Sequence, residues 1–260
     1  MDVKYSDTRM LMLRFGKLRF YVPEELHYIP CATFFAGEYD FLKPGKGDVV
    51  IDAGANIGDF TYKVARKSKI VLAIEPEENN IHYLKMNMGG TRNVIIVSKG
   101  ISNETKITSF KGSGVSGKVR EYGEKTITVD TLDNICEEYN LEPTILKMDI
   151  EGFESRALEG MAHSLTTIRR VVIEVHDKIN EIKCENILKE NSFNVRYQTK
   201  RTIILRTIKN TFRHPISFLR YDLQNNYYGA KTILKYPVSL QTNIPSCNYG
   251  TGMKLLEAWK

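Results

Sequence analysis

Val49-Val50-Ile51-Asp52-Ala53-Gly54-Ala55-Asn56-Ile57-Gly58-Asp59-Phe60-Thr61 is the stretch on which the fold turns. Its three β-branched apolar residues predict a short buried strand, which Gly54 and Gly58 interrupt. A helical pattern follows at once, with Phe60, Val64 and Ala65 on one side and Lys63, Arg66 and Lys67 on the other. Strand, glycine loop and helix form the first unit of a nucleotide-type βαβ fold. Glycines at 54 and 58 let the backbone approach a ligand at the carboxyl end of the strand. A dinucleotide fingerprint would carry Gly at position 56, where this chain has Asn, and a P-loop would end in Gly-Lys-Ser/Thr. Neither is present in this stretch.

An acid at the strand tip, Asp52, repels a pyrophosphate. It suits a ligand with a cationic end and no phosphate, and S-adenosylmethionine is one. The second predicted strand, Lys69 to Ile74, ends in Glu75, 23 residues beyond Asp52. Nucleotide-binding folds place there a carboxylate that accepts hydrogen bonds from ribose hydroxyls. Residues 52–58 alone would also fit a plain strand-to-helix turn, but such a turn does not call for Asn56 and Glu75 together.

Three motifs in order carry a resemblance: Asp52-Ala53-Gly54-Ala55-Asn56-Ile57-Gly58, then Glu75-Pro76, then Leu146-Lys147-Met148-Asp149-Ile150-Glu151-Gly152-Phe153-Glu154. Together they resemble the FkbM family of class I S-adenosylmethionine-dependent methyltransferases, from about Gly37 to about Val195. The resemblance implies O-methylation of a hydroxyl on a glycan or a secondary metabolite. It also implies that the third strand end, at Ser98, faces the adenine. Enzymes that methylate exocyclic amines of bases commonly carry Asn/Asp-Pro-Pro-Tyr/Phe at the fourth strand tip, and Asp149-Ile150-Glu151-Gly152 departs from that pattern.

Length and composition set the frame. A chain of 260 residues makes one sizeable domain plus an appendage, and 42% hydrophobic with 26% charged residues is ordinary for a soluble globular protein. No apolar run reaches the length of a membrane span, and Asp2, Lys4 and Asp7 do not make a signal peptide. The expected location is the cytoplasm, with peripheral contact at a membrane surface as its variant. Cys31, Cys136, Cys184 and Cys247 lie far apart without a C-x-x-C pair, so they indicate neither zinc nor a disulfide framework. After Asn191 the chain carries net charge +9, leaving −3 for the part before it. Such asymmetry suggests an anionic partner for residues 196–235, an anionic glycan or a lipid-phosphate carrier. The tail from about Thr207 to Lys260 reads as an extra subdomain that packs on the core, as an arm for such a partner, or as an RNA-binding segment using its basic and aromatic residues.

The pattern divides into a hairpin and cap segment (1–44), an S-adenosylmethionine-binding domain (45–206) and a basic, aromatic-rich extension (207–260). A hairpin is predicted around Phe15-Gly16-Lys17, to cap the sheet or line the cleft, and the aromatic-rich stretch 24–44 is expected to pack in the core, its alternative being to cover the cofactor cleft. Helices are predicted over 77–88, 131–139, 152–161 and 179–190. Strands are predicted at 93–97, 105–110, 125–129, 144–148, 170–175, 193–197 and 202–205. Gly112-Ser113-Gly114-Val115-Ser116-Gly117 is a candidate lid or a plain hairpin tip. Alternating βα units give the fold class: α/β, doubly wound, with a mostly parallel sheet.

In such sheets ligands bind outside the carboxyl ends of the strands. The expected cofactor residues are Asp52, Gly54, Ala55, Asn56, Gly58, Glu75, Pro76 and Ser98. Methyl transfer is an in-line displacement with a good neutral leaving group, so the protein must align the acceptor and help it lose a proton. The candidates for that task are His176, Asp149 and Glu151, with Glu174 behind them. Lys147 is expected to pair with Glu151 or Glu174. No metal is expected, although Asp149 with Asp177 or Glu174 would suit Mg²⁺ as some class I O-methyltransferases hold it. His82, His163, His27 and His214 carry no site signal. The rival readings are an RNA methyltransferase and a cofactor-fold protein that binds without catalysis.

Overall fold

The computed structural model describes residues 10–15, 18–26, 28–111, 118–120, 125–213, 215 and 254–260. The candidate lid at 112–117, His27, His214, Cys247 and most of the basic extension lie outside them.

Strands β1 (Met10–Phe15) and β2 (Leu18–Pro23) form the expected hairpin, with Phe15 opposite Leu18. A single turn, α1 (Tyr28–Cys31), leads on toward β3 (Val49–Ala53), α2 (Asp59–Ala65) and β4 (Ile70–Ile74). Then come α3 (Glu78–Met88), β5 (Val94–Val97), β6 (Gly100–Ile101), β7 (Lys106–Lys111), β8 (Lys118–Arg120) and β9 (Lys125–Asp130). The remainder runs α4 (Leu132–Glu138), β10 (Ile145–Met148), α5 (Glu154–Glu159), α6 (Ser164–Thr167), β11 (Arg170–Val175) and α7 (Lys178–Glu190). It ends with β12 (Asn194–Tyr197), α8 (Lys200–Arg213) and β13 (Lys254–Trp259).

The main sheet has the order β12-β13-β11-β10-β3-β4-β5, and β6-β9-β7-β8 form a second, smaller sheet. In the main sheet β11, β10, β3, β4 and β5 are parallel, while β13 runs antiparallel to both of its neighbours. Period-two alternation sorts the strands' side chains onto two faces. Ile51, Leu72, Leu146, Met148, Val171 and Ile173 pack on one face against Leu132, Leu158, Cys184 and Leu188 of α4, α5 and α7. Val50, Val71, Ile145 and Val172 pack on the other against Phe60 and Val64 of α2, with Tyr39 and Leu42. Truncating a buried residue such as Ile51 to Ala removes about 2–5 kcal/mol of stability. Doubly wound packing is therefore a direct consequence of the strand sequences.

Two expectations at the C-terminal end change. Thr202 to Leu205, expected as a strand, lies within helix α8, whose buried residues Ile203, Thr207 and Asn210 recur at helical spacing. The seventh strand comes from the stretch expected as an extension. β13 inserts between β11 and β12, and Glu257 on it is met by Arg196 at 2.7 Å and Arg206 at 2.8 Å. The end of the chain is thus part of the sheet. The three described cysteines, Cys31, Cys136 and Cys184, are buried and form no disulfide with one another.

The hairpin caps the glycine loop. Leu13, Phe20 and Val22 pack with Phe34, Phe35 and Ile57. Asn87 of α3 clamps this arrangement: its side chain bonds both backbone groups of Tyr21, at 2.7 and 2.9 Å, and donates to Ile57 O at 3.0 Å.

Candidate active site

The carboxyl ends of β3, β4, β10 and β11 meet at one edge. At β3 the chain leaves the strand through Gly54, which has φ +74°, a conformation that favours glycine. A Cβ there would lie 1.8 Å from the Asp149 carbonyl oxygen, so this glycine lets the β3 loop close on the β10 tip. Asn56, with φ +49°, takes the left-handed turn that Asn tolerates better than most residues. Its N–H donates to Glu75 Oε2 at 2.9 Å, and Glu75 Oε1 accepts from Glu77 N at 3.0 Å and Asn80 Nδ2 at 3.2 Å. Three of about four acceptor positions on this carboxylate are therefore filled by the protein. Burial outweighs these bonds and the positive charge of Lys147, pushing the Glu75 carboxyl up to about 7.

Asp52 lies below this loop, fully buried, accepting from Thr61 Oγ1 at 2.6 Å. Lys147, opposite it in register, brings Nζ to 3.1 Å from Asp52 and donates to Gly54 O at 2.6 Å. The expected pairing of Lys147 with Glu151 or Glu174 is corrected here. Lys147 and Asp52 share the α2 face, and the ammonium staples the two strand ends beneath the loop. Burial alone would lower its pKa, but Asp52, Asp149 and Asp59 overcome this and raise it.

The β10–β11 edge is built differently. After Asp149 the chain turns sharply, with Glu151 at φ +57° and Gly152 at φ +104°, before α5 begins. Gly152 N donates to Glu154 Oε1 at 2.8 Å, which draws the first acid of α5 back under the turn. Glu154 is fully buried and its Oε1 also lies 2.7 Å from His176 Nδ1. His176 Nε2 points at the two acids of the turn, 3.6 Å from Asp149 Oδ1 and 3.6 Å from Glu151 Oε2. Burial would lower the imidazole pKa. The hydrogen bond to Glu154 and the charges of Asp149, Glu154 and Glu174 reverse this and push it up to about 10. Glu174 is buried nearby, and desolvation together with Asp149 raises its carboxyl well above the usual range.

Residues 52–226 match the Methyltransferase FkbM domain, two thirds of the chain. The chain belongs to the FkbM methyltransferase family. Hexuronic acid methyltransferase AglP of Haloferax volcanii is 28% identical over 165 residues, 59% of this chain and 69% of AglP. Among solved structures, methyltransferase FkbM from Methylobacillus flagellatus KT aligns with a TM-score of 0.46 and 20% identity. The alignment covers 58% of this chain and 40% of that one, so this chain spans less than half of its length. M. jannaschii TYW2 in complex with AdoMet aligns with a TM-score of 0.41 and 15% identity, over 76% of this chain and 80% of that one.

In this FkbM domain the residues expected at the site fall into two groups. Gly54, Ala55, Asn56, Gly58 and Glu75 are gathered in and around the loop after β3, with Pro76 following Glu75. Ser98 is exposed just beyond β5, and Asp52 is sealed beneath the loop rather than open to a ligand. Asp149, Glu151 and His176 come together at the second edge, their ligand atoms within 4.8 Å of one another. Asp177, weighed as a metal partner, caps α7 instead, accepting from Asn180 N at 2.8 Å and Asn180 Nδ2 at 2.6 Å. Glu154 was not singled out from the sequence. Its signal was its place five residues beyond Asp149, past a glycine that lets the chain fold back.

Proposed function

We propose that this protein transfers the methyl group of S-adenosylmethionine to a hydroxyl of a saccharide, of the uronic acid type named for its Haloferax relative. The observation that carries this reading is the gathering of Asp149, Glu151 and His176 beside the glycine loop of an FkbM domain. The loop at Gly54, Ala55, Asn56 and Gly58 holds the methionine part of the cofactor, with Asp52 setting the loop's shape from below. Glu75 offers its remaining acceptor position to the ribose, and Pro76 and Ser98 flank the adenine.

The acceptor hydroxyl enters at the second edge. As its oxygen bonds to the methyl carbon, the carbon–sulfur bond breaks and its electron pair returns to sulfur, leaving a neutral thioether. The hydroxyl proton passes to a carboxylate of Asp149 or Glu151, whose side chains are 29% and 23% exposed. His176, only 5% exposed, stands behind them with Nε2 3.6 Å from each. Lys209 and Arg213 of α8, with Lys43 and Lys67, line a groove of about 530 Å³ that offers charge to an anionic part of a longer glycan.

The test is calorimetry with S-adenosylmethionine, followed by mass analysis of uronic acid glycosides incubated with both. Tight cofactor binding and a methylated glycoside are the expected results. Absence of cofactor binding would remove the assignment.

A further inference from the structure

The second edge is unfinished as it stands. His176 Nε2 is buried without a hydrogen-bond partner, although two carboxylates lie 3.6 Å away. That distance exceeds a hydrogen bond. Buried ring nitrogens are normally paired, so this one calls for a ligand. The rear nitrogen is already committed: Nδ1 sits 2.7 Å from Glu154 Oε1, and the left-handed turn at Glu151 and Gly152 holds Glu154 in place through Gly152 N. A carboxylate behind the imidazole is the arrangement that orients metal-ligating histidines. Adjacent ligands on a small divalent ion stand about 3 Å apart, so a modest closure from 3.6 Å would bring Nε2 and each carboxylate onto one ion.

We propose that Asp149, Glu151 and His176 Nε2 hold a divalent cation that displaces the Nε2 proton on binding, with Glu154 as the residue that positions His176. Two carboxylates with one imidazole favour Mn²⁺, since oxygen ligands suit Mn²⁺ and Mg²⁺ while the nitrogen suits transition ions. The site replaces the expectation of metal-free catalysis and uses different partners from the Asp149–Asp177 and Asp149–Glu174 pairs. Asp177 is taken up in capping α7, and Glu174 is buried within β11.

The cation's task rests on the preceding reading of function. A uronic acid brings its own negative charge to an edge already lined with acids. A dication between them turns repulsion into attachment and polarises the attacking hydroxyl. The hydroxyl proton leaves to the uncoordinated oxygen of Asp149 or Glu151, the oxygen–carbon bond forms, and the electron pair of the carbon–sulfur bond stays on sulfur.

The experiment uses the whole chain stripped with a chelator. Mn²⁺ is titrated and followed by electron paramagnetic resonance, and S-adenosylmethionine binding is measured separately by calorimetry. We expect one Mn²⁺ per chain. His176→Gln and Glu151→Gln should weaken it by at least about tenfold, and Glu154→Gln by about ten- to a hundredfold, with cofactor affinity unchanged in all three. Glu151→Gln alters a partly exposed side chain and keeps the test open should the buried variants fail to fold. No Mn²⁺ binding at millimolar concentration, or equal Mn²⁺ affinity in the folded variants and the parent, overturns the cation site. If Mn²⁺ binds as expected but S-adenosylmethionine does not, the functional reading falls and the cation site stands.

Discussion

The two halves of the carboxyl edge treat their acids in opposite ways. At β3 and β4, Glu75 is surrounded by the protein's own N–H donors and Asp52 by Thr61 and Lys147. At β10 and β11, Asp149, Glu151 and Glu154 crowd one imidazole, and Lys147 turns away to the other half. The first half is pre-shaped by its backbone and needs a ligand only to fill it. The second gathers three acids around one histidine, and on the proposed reading a cation completes it. On the proposed reading the first half cradles the cofactor and the second receives the acceptor, and holding the two in line is what methyl transfer requires.

The largest effect should come from the point where the halves touch. Gly54→Val places a branched side chain where φ is +74° and the Asp149 carbonyl is already in contact. Left-handed strain costs about 1–3 kcal/mol, and the backbone clash adds to it. Calorimetry should show S-adenosylmethionine affinity reduced by on the order of a hundredfold or more. A variant that binds the cofactor normally would separate the two halves and break the comparison.

Next is Glu154→Ala, which touches the second half alone. It leaves His176 Nδ1 and Gly152 N without their partner in a buried place. Removing one side of a buried charged pair costs about 3–5 kcal/mol, visible as a lowered midpoint in thermal unfolding. Turnover should fall by about a hundredfold while cofactor affinity in the folded protein holds. Parallel loss of both would mean that the halves are not independent.

Glu154 also shows where the sequence stops being legible. Asp149 and His176 could be picked out because each follows a predicted strand, and strand tips in such sheets face the cleft. Glu154 stands on a helix, and its role depends on Glu151 and Gly152 both turning left-handed. That fold-back is a property of the turn, not of any periodicity. Thr202 to Leu205 misled for a related reason: four β-branched or apolar residues in a row read as a strand, while the helical stripe Ile203, Thr207 and Asn210 extends beyond them. The sheet position was meanwhile taken by Lys254–Trp259, whose pairing with Arg170–Val175 joins distant parts of the chain. Lys147 with Asp52 was readable in principle, because parallel pairing of β10 on β3 sets them side by side on one face.

Glu75 sharpens the comparison through pH. Its carboxyl titrates near 7 in the folded protein, above the ordinary 4.5, because burial penalises the charge. Lys147 from β10 and the N–H groups of Asn56, Glu77 and the Asn80 side chain face it and limit the rise. A carboxyl raised in this way contributes stability fully below 4.5 and loses it as pH climbs through about 7. Ribose hydroxyls prefer the ionised acceptor, so cofactor affinity should move the other way, rising by about tenfold between pH 6 and 8. Glu75→Gln should weaken binding by about tenfold at pH 8 and flatten both trends. A parent protein whose affinity is level across this range would remove Glu75 from the ribose.

The smallest effect belongs to Asp177, which stands next to His176 in sequence yet outside the cluster in space. Its carboxylate accepts from Asn180 N and Asn180 Nδ2, and Asn180 in turn reaches Gly152 O at 2.9 Å and Ser155 Oγ at 2.7 Å. Asp177→Ala should therefore cost about 1 kcal/mol, the ordinary value of a helix cap, read from chemical denaturation. Mn²⁺ binding and turnover should stay at the parent level, because the cap secures α7 without reaching the acceptor. If turnover fell as steeply as for Glu154→Ala, the unsatisfied edge would have to include the start of α7. The acids around His176 would then be one shell of a wider site rather than the whole of it.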